Sequence, residues 1–271
     1  MHAKNRGFSI WAFGLAWILC AAFPLQASAG AWPTEAGAGQ VISTSLFDNA
    51  SQAFDENGDA SQAVSFSKFE GAVYMEHGLT AKTTLVLQSS FQDIQFRAGV
   101  DDVNFSGLGE SYLGLRHLLW DDDKTVISAQ GGVLFAGAGE AIADADLGFG
   151  TTHYEARALL GRSFKLAKRD GFIDLQAARR FRPGNFPDEW RLDATTGWRP
   201  VKNIQILAQG FYTASEAEFE IARRNTRLKL QGSLVYDRSA KTSYQIGMYQ
   251  TVAGKNIVKE KAFFIAIWSR Y

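Results

Sequence analysis

The last ten residues, 262–271, have the pattern of a β-strand that ends the sequence. Apolar residues alternate along both of its faces: Phe263, Ile265 and Ile267 on one, Phe264, Ala266 and Trp268 on the other. An apolar strand with an open edge exposes unpaired backbone groups and promotes aggregation, so this strand must be paired. Pairing with the first strand would remove the edge, because a closed barrel satisfies every backbone group.

The same strand resembles the C-terminal assembly signal of bacterial outer-membrane β-barrels, in which the last residue is aromatic and hydrophobic residues recur at every second position. The resemblance implies that the barrel assembly machinery recognises a signal formed by Phe263, Ile265, Ile267 and Tyr271. The region after the leader resembles small proteobacterial outer-membrane barrels of about twelve strands. Its opening, Ala31-Trp32-Pro33 followed by Gly39-Gln40-Val41-Ile42, is similar to an uncharacterised envelope family.

The first 29 residues have the pattern of a cleaved signal peptide. Lys4 and Arg6 precede an apolar run over 8–23, and Ala27-Ser28-Ala29 supplies the small residues that a signal peptidase recognises. The run is too short to span a bilayer comfortably. The only cysteine, Cys20, lies in this leader. We therefore predict a signal peptide over 1–29, a periplasmic N-terminal segment over 30–39 and a barrel over 40–271, in a mature chain without cysteine or lipid.

Composition alone would indicate an ordinary soluble domain, with 28 basic and 28 acidic residues and a mean hydropathy of -0.13. A membrane barrel gives the same averages, because only alternate residues of each strand meet lipid. The 26 glycines, 20 phenylalanines and 8 tyrosines favour β structure. No sustained helical periodicity follows the leader.

Alternation and turn chemistry predict an all-β fold, a transmembrane antiparallel up-and-down β-barrel of about twelve strands. Tight turns alternate with mostly longer links, as the periplasmic turns and outer loops of such barrels do. A β-propeller would need shorter strands. The predicted strands are 40–48, 65–77, 84–96, 107–119, 125–136, 151–163, 172–182, 189–199, 204–213, 223–236, 242–252 and 260–271.

Within the strands one face is apolar and the other polar, and in a membrane barrel the apolar face meets lipid. The polar face then lines the lumen. Twelve strands enclose more space than the eight whose side chains just fill a barrel, so a narrow passage fits; a plug of paired charges fits equally. The predicted lumen-lining residues are Glu70, Glu110, Arg116, Glu155, Arg157, Asp174, Arg180, Arg191, Asp193, Arg227 and Lys229.

These features predict a narrow, porin-like channel or uptake pore for small polar or charged solutes whose identity the sequence does not give. A non-conducting structural or adhesive barrel is the alternative, and an outer-membrane hydrolase is a third. None of the four histidines is followed by serine, as lipid hydrolases of this compartment would require. His153 is the best catalytic candidate, because Asp101, Asp102, Asp144 and Asp146 could approach it from neighbouring loops. We predict no catalytic residue and no enzyme activity.

No cofactor or metal is predicted. The run Asp55-Glu56-Asn57-Gly58-Asp59 resembles the start of a calcium loop, but Ala60 and Phe66 occupy the positions that need glycine and glutamate. An Asn-Gly turn explains the run better. No basic aromatic patch indicates nucleic-acid binding. The predicted partners are outer-membrane lipid, lipopolysaccharide and the assembly machinery, and the predicted location is the cell outer membrane.

Overall fold

The computed structural model describes residues 30–98, 101–135, 137, 152–183, 187–216 and 224–271. The predicted signal peptide, 1–29, lies outside these residues. No helix in the described parts of the chain is both long enough and apolar enough to cross a membrane.

The described residues form one antiparallel sheet of fourteen segments. Most segments pair with their neighbours in chain order, as expected for an up-and-down arrangement, and the exceptions involve the short segments β4 and β13. The segments are β1 (Gly39–Phe54), β2 (Gln62–Gly78), β3 (Thr83–Ala98), β4 (Asp101–Leu108), β5 (Ser111–Asp121), β6 (Thr125–Phe135), β7 (His153–Leu166), β8 (Arg169–Phe181), β9 (Glu189–Val201), β10 (Ile204–Ser215), β11 (Thr226–Asp237), β12 (Thr242–Lys255), β13 (Ile257–Val258) and β14 (Lys261–Arg270).

Two pairs of segments each occupy one strand position, so the sheet is a closed barrel of twelve strands. β4 and β5 follow each other along β3, and β13 and β14 follow each other along β1. Closure comes from β14, which pairs with β1 from Gln40↔Arg270 to Asn49↔Lys261. The predicted fold class is confirmed.

The last residue completes the closure. Backbone N–H groups of Gly39 and Tyr271 each donate to the other residue's carbonyl oxygen, both at 3.0 Å. The Tyr271 ring stacks on His77 of β2, with ring centroids 5.9 Å apart. The C-terminal strand is therefore bonded along its whole length and leaves no open edge.

The outward face of the barrel carries an apolar band bounded by aromatic residues. Eight residue steps separate Phe263 from Tyr271 and Trp190 from Trp198. At about 3.3 Å per residue and a tilt of about 40°, eight steps span roughly 20 Å, close to the apolar band of membrane barrels. Exposed apolar side chains fill the band, among them Leu175, Leu192, Leu230, Ile246, Ile265 and Ile267.

Several strands extend beyond the predicted boundaries at the end of the barrel that carries the longer links, here called the loop end. β1 continues to Phe54 and β2 begins at Gln62, where the sequence predicts a link over 49–64. Above the aromatic residue Phe69 the outward side chains become polar, as at Ser65 and Ser67. Hydrophobic alternation on the outward face ends there, while backbone pairing continues.

Two strand positions of the barrel are each formed by two segments separated by two residues. In both cases these two residues include a glutamate that lies in the interior. Gly109 and Glu110 separate β4 from β5, and the burial parity of the strand changes there. Lys259 and Glu260 separate β13 from β14. An irregularity of this kind inserts residues into one strand and redirects side chains. Glu110 and Glu260 thereby reach basic partners on other strands.

The first link at the loop end is an Asn-Gly turn held by a carboxylate. Asp55 Oδ1 accepts the N–H groups of Asn57 and Asp59, and its Oδ2 accepts the Ser61 hydroxyl at 2.7 Å. The Ser61 hydrogen bond and these N–H groups lower the pKa of Asp55. Gly58 has φ +93, a conformation that favours glycine. The carboxylate is thus used by the turn itself.

The position of the apolar band predicts that an arginine on the outward face costs more stability inside the band than above it. Leu230→Arg places a cation in the apolar band and should cost on the order of 2 kcal/mol or more, depending on depth. Ser67→Arg adds the same charge on the outward face above the band and should cost about 1 kcal/mol or less. Urea titration of folding into vesicles measures both values. Equal costs would contradict the assigned position of the band.

Removing Tyr271 should lower the yield of folded barrel, because deletion removes both hydrogen bonds to Gly39 and the ring on His77. Tyr271→Phe keeps the backbone pair and the aromatic ring, and serves as the matched control. The folded fraction can be measured from the heat-dependent shift in electrophoretic mobility. If the deletion variant folds to the wild-type level, the terminal pair has no role in closure.

Candidate functional site

The interior of the barrel contains both charged and apolar side chains, arranged in separate groups. All eleven residues predicted to line the lumen point inward. Nine are buried, and Glu110 and Asp193 are half-buried. The structure divides them into separate groups rather than one ring.

The largest group, here called the charged layer, consists of Glu110, Glu155, Arg157, Arg180, Arg191 and Asp193. Arg157 donates to Glu155 Oε1 at 3.0 Å and to Asp193 Oδ2 at 2.6 Å. Arg180 lies 2.9 Å from Glu110 Oε1, and Arg191 lies 3.6 Å from Glu155 Oε2. Inward-facing positions of β7, β8 and β9 place most of these side chains at the same height along the barrel axis. With three acids and three bases, the layer is formally neutral.

A small polar cavity lies within the charged layer. Its volume is about 30 Å³, and one water molecule needs roughly 10–15 Å³. The cavity therefore has room for about two water molecules. Besides the charged layer, its lining includes Gln88, Tyr112, Gln130, Leu134 and Phe211.

A second charged group lies near the loop end on β1, β2, β11, β12 and the β13–β14 interruption. Lys68 Nζ donates to Glu70 Oε2 at 3.0 Å, and Lys229 pairs with Glu260. Lys229 also lies over the Tyr249 ring, whose hydroxyl donates to Asp48 at 2.5 Å. Arg227, also predicted to line the lumen, is buried on the same strand as Lys229.

Arg116 is separate from both groups. Its Nη1 donates to Glu76 Oε1 at 2.9 Å, and the Tyr74 hydroxyl donates to the same oxygen at 2.5 Å. Both Arg116 and Glu76 are buried. The pair lies beside apolar side chains rather than in the charged layer.

Apolar side chains cross the barrel between the charged layer and the end with the tight turns, here called the turn end. This apolar layer is formed by Ile42, Tyr74, Val86, Leu207, Val235, Ala266 and Trp268. Val86 on β3 and Leu207 on β10 belong to nearly opposite walls. The inward face of β1, β2 and β14 is therefore apolar in part, although the sequence pattern predicts a polar lumen face.

The segment over 30–38, here called the N-terminal strap, lies inside the turn end. The Ala31 N–H donates to Asp174 Oδ2 at 2.7 Å, and the Ser128 hydroxyl donates to the Ala31 carbonyl at 2.6 Å. At the other end of the strap, the Gly37 N–H donates to the Gly78 carbonyl at 2.8 Å. The strap thus bonds to β2, β6 and β8 and crosses the opening.

Apolar contacts also hold the strap. Ala31 is fully buried in a cluster with Leu118, Val126 and Leu159. The Trp32 ring packs edge-on against Phe172, with centroids 6.0 Å apart. The sequence predicts 30–39 as a periplasmic segment, and alternation gave no indication that it enters the barrel. Asp174, predicted to line the lumen, faces this strap.

Several interior residues lie outside the predicted set: Lys68, Glu189, Arg182 and Glu260. Arg182 Nη2 lies 2.6 Å from Glu189 Oε1. Glu189 has the same parity as Arg191, and Lys68 the same parity as Glu70, so extending the alternation would have found them.

His153, the catalytic candidate, is buried at the start of β7 among the charges of Arg180, Arg182 and Glu189. Asp144 and Asp146 lie outside the described residues. Within the described residues, no group of three or more His, Cys, Asp and Glu side chains could hold a metal ion.

Comparison with known proteins identifies the fold. No family model matches the chain, and no curated protein matches it. An outer membrane channel from Pseudomonas putida F1 matches over 93% of this chain and 100% of its own, with TM-score 0.71 and 13% identity. The NanC porin matches over 84% and 98%, with TM-score 0.54 and 9% identity. The translocator domain of autotransporter NalP from Neisseria meningitidis matches over 89% and 91%, with TM-score 0.52 and 11% identity.

The chain therefore has the fold of a Gram-negative outer-membrane β-barrel, as the terminal strand predicts. At these identities the likeness establishes the architecture alone. The function of this barrel has to be argued from its own interior.

The Arg116–Glu76 pair allows a test of interior energetics. Arg116→Met leaves the Glu76 carboxylate buried without its cation, and removal of one partner of a buried pair costs about 3–5 kcal/mol. Arg116→Met combined with Glu76→Gln should recover much of this loss, since no net charge remains buried. The free energy of unfolding in urea measures both. A double variant no more stable than the single one would contradict this interpretation.

Proposed function

We propose that the protein is a narrow outer-membrane channel for small polar or charged solutes, held closed in this structure by its N-terminal strap. The observation that carries the proposal is the position of the strap, which crosses the turn end of a twelve-stranded barrel whose interior contains the charged layer. A barrel of this size has room for a passage. The channel and porin with the same fold are consistent with this function.

The strap is the element that can move without opening the barrel. It is bonded to the wall by side-chain hydrogen bonds and a few backbone contacts, whereas every strand belongs to the continuous sheet. Its withdrawal would free the turn end. A solute would then pass the charged layer, whose fixed charges would set ion preference.

The apolar layer favours a second candidate, a non-conducting structural barrel. Side chains from six strands pack across the lumen there, and nearly all interior charges are paired. If the protein is a channel, the apolar layer is a constriction that excludes water until the strap leaves the barrel. Apolar constrictions can gate by dewetting.

The placement of the barrel follows from the proposal. The turn end, with Gly39 and Tyr271, would face the periplasm, and a leader over 1–29 would export the chain. Outer-membrane lipid and lipopolysaccharide would contact the aromatic band. Arg179 suits the outer boundary, because it lies over the rings of Phe181 and Trp190 at 5.3 and 5.4 Å. No catalytic role is proposed.

Deleting 31–38 should raise single-channel conductance several-fold over the wild-type barrel, because the deletion removes the obstruction at the turn end. Planar bilayer recording and liposome swelling with small sugars and amino acids measure the change. If both barrels are silent although folded, the channel proposal fails and the structural barrel remains.

Selectivity can be tested in the truncated barrel. Arg157→Glu and Arg191→Glu should shift the reversal potential under a salt gradient toward cation preference. Arg162→Glu changes the same charge on the outward face of β7 and should leave the reversal potential unchanged. A shift of equal size in the control would mean that the charged layer does not line the pathway.

A further inference from the structure

Asp174 is a buried carboxylate whose direct partners are uncharged. It is 1% exposed. Its oxygens accept the Ala31 N–H at 2.7 Å and the Gln176 side-chain amide at 2.6 Å. Among the described residues no Lys, Arg or His side chain forms an ion pair with it. Arg116 and Arg157, whose charges act on Asp174 from a distance, are each paired directly with another acid. Buried charges are normally paired, so Asp174 lacks a direct cationic partner.

The backbone of residue 30 lies next to this carboxylate. Gly30 is buried and precedes the Ala31 N–H that Asp174 binds. A Cβ at residue 30 would lie 2.5 Å from Gln176 Nε2, so a larger residue there would have to displace the end of the Gln176 side chain. Residue 30 is also the first residue after the Ala27-Ser28-Ala29 processing pattern. The site thus combines an uncompensated acid with the position at which cleavage would produce an amine.

We propose that cleavage after Ala29 creates the cationic partner of Asp174. Hydrolysis adds one water molecule across the Ala29–Gly30 peptide bond, leaving a carboxylate on Ala29 and an ammonium group on Gly30. The new ammonium binds the Asp174 carboxylate inside the barrel and anchors the N-terminal strap. Gln176 holds the carboxylate in place, because its amide nitrogen donates to Asp174 Oδ1 while its amide oxygen accepts from Arg157 at 2.6 Å.

Export processing would therefore strengthen the closure of the turn end. An uncleaved chain has only a neutral amide at residue 30 and can hold the strap by hydrogen bonds and apolar contacts alone. Cleavage adds the charge–charge contact with Asp174. This inference concerns the anchor of the strap and does not depend on conduction.

The test uses the barrel purified from outer membranes after expression with its own leader. Intact mass should correspond to a chain that begins at Gly30. Labelling with 2-pyridinecarboxaldehyde, which reacts with N-terminal amines, should be roughly tenfold slower for the folded wild-type barrel than for the same protein in denaturant, because reaction requires release of the strap. Asp174→Asn should label faster when folded, while Asp170→Asn, an exposed acid on the same strand, should match wild type.

A second variant keeps the test decisive if Asp174→Asn does not fold. Gly-Ser inserted between Ala29 and Gly30 moves the ammonium away from Asp174, and its barrel should label rapidly. A mature chain that begins elsewhere would overturn the proposal, as would wild-type labelling as fast as that of the inserted variant. Equal rates for folded wild type and folded Asp174→Asn would also overturn it. Silent conductance with slow wild-type labelling would reject the channel and leave this anchor standing.

Discussion

The structure depends on pairing every backbone N–H and C=O group of the barrel wall. In hydrocarbon, an unpaired N–H or C=O group costs several kcal/mol, so the sheet has to close. Closure falls on β1 and β14, which are farthest apart in sequence, and ends at the reciprocal pair of Gly39 and Tyr271. Tight turns join the strands at one end of the closed sheet, and aromatic residues bound its outward apolar band. Side chains are then left to determine what fills the interior.

Closure creates a second constraint, because a twelve-stranded barrel encloses more volume than one row of inward side chains fills. Two solutions coexist here. Large apolar side chains such as Ile42 and Trp268 fill the part near β1 and β14, and long arginines reach across the part near β7 to β9. Arginine suits the second role, since its planar group binds several carboxylate oxygens at once and stays charged when buried. The interruptions at Glu110 and Glu260 supply acids where regular pairing would not have placed them.

The sequence predicted the barrel, its strand number and the inward side of most charged residues, because alternation with period two is imposed by the pleat and by lipid on one face. It could not predict features that do not follow this two-residue alternation. The apolar inner face of β1 was missed, since Ile42 and Leu46 alternate with Ser43 and Ser45 against the usual parity. The strand extensions toward Phe54 were missed because the outward residues there are polar and the apolar alternation has ended. The strap was missed because Ala31 and Trp32 are placed by contacts with β6, β7 and β8, which are distant in sequence.

The strap differs energetically from the wall that surrounds it. Ordering a residue costs about 1–2 kcal/mol, and a typical hydrogen bond returns about 1 kcal/mol. Residues 30–38 make a handful of hydrogen bonds and bury few large apolar side chains beyond Trp32. The free energy that holds the strap in the barrel is therefore a small difference between these favourable contacts and the entropy cost of ordering the strap. Each strand, by contrast, is bonded on both sides and cannot leave alone. Opening at the turn end therefore requires far less free energy than opening anywhere in the sheet. A charge–charge contact at Asp174 would shift that balance toward the closed form without adding any element to the barrel.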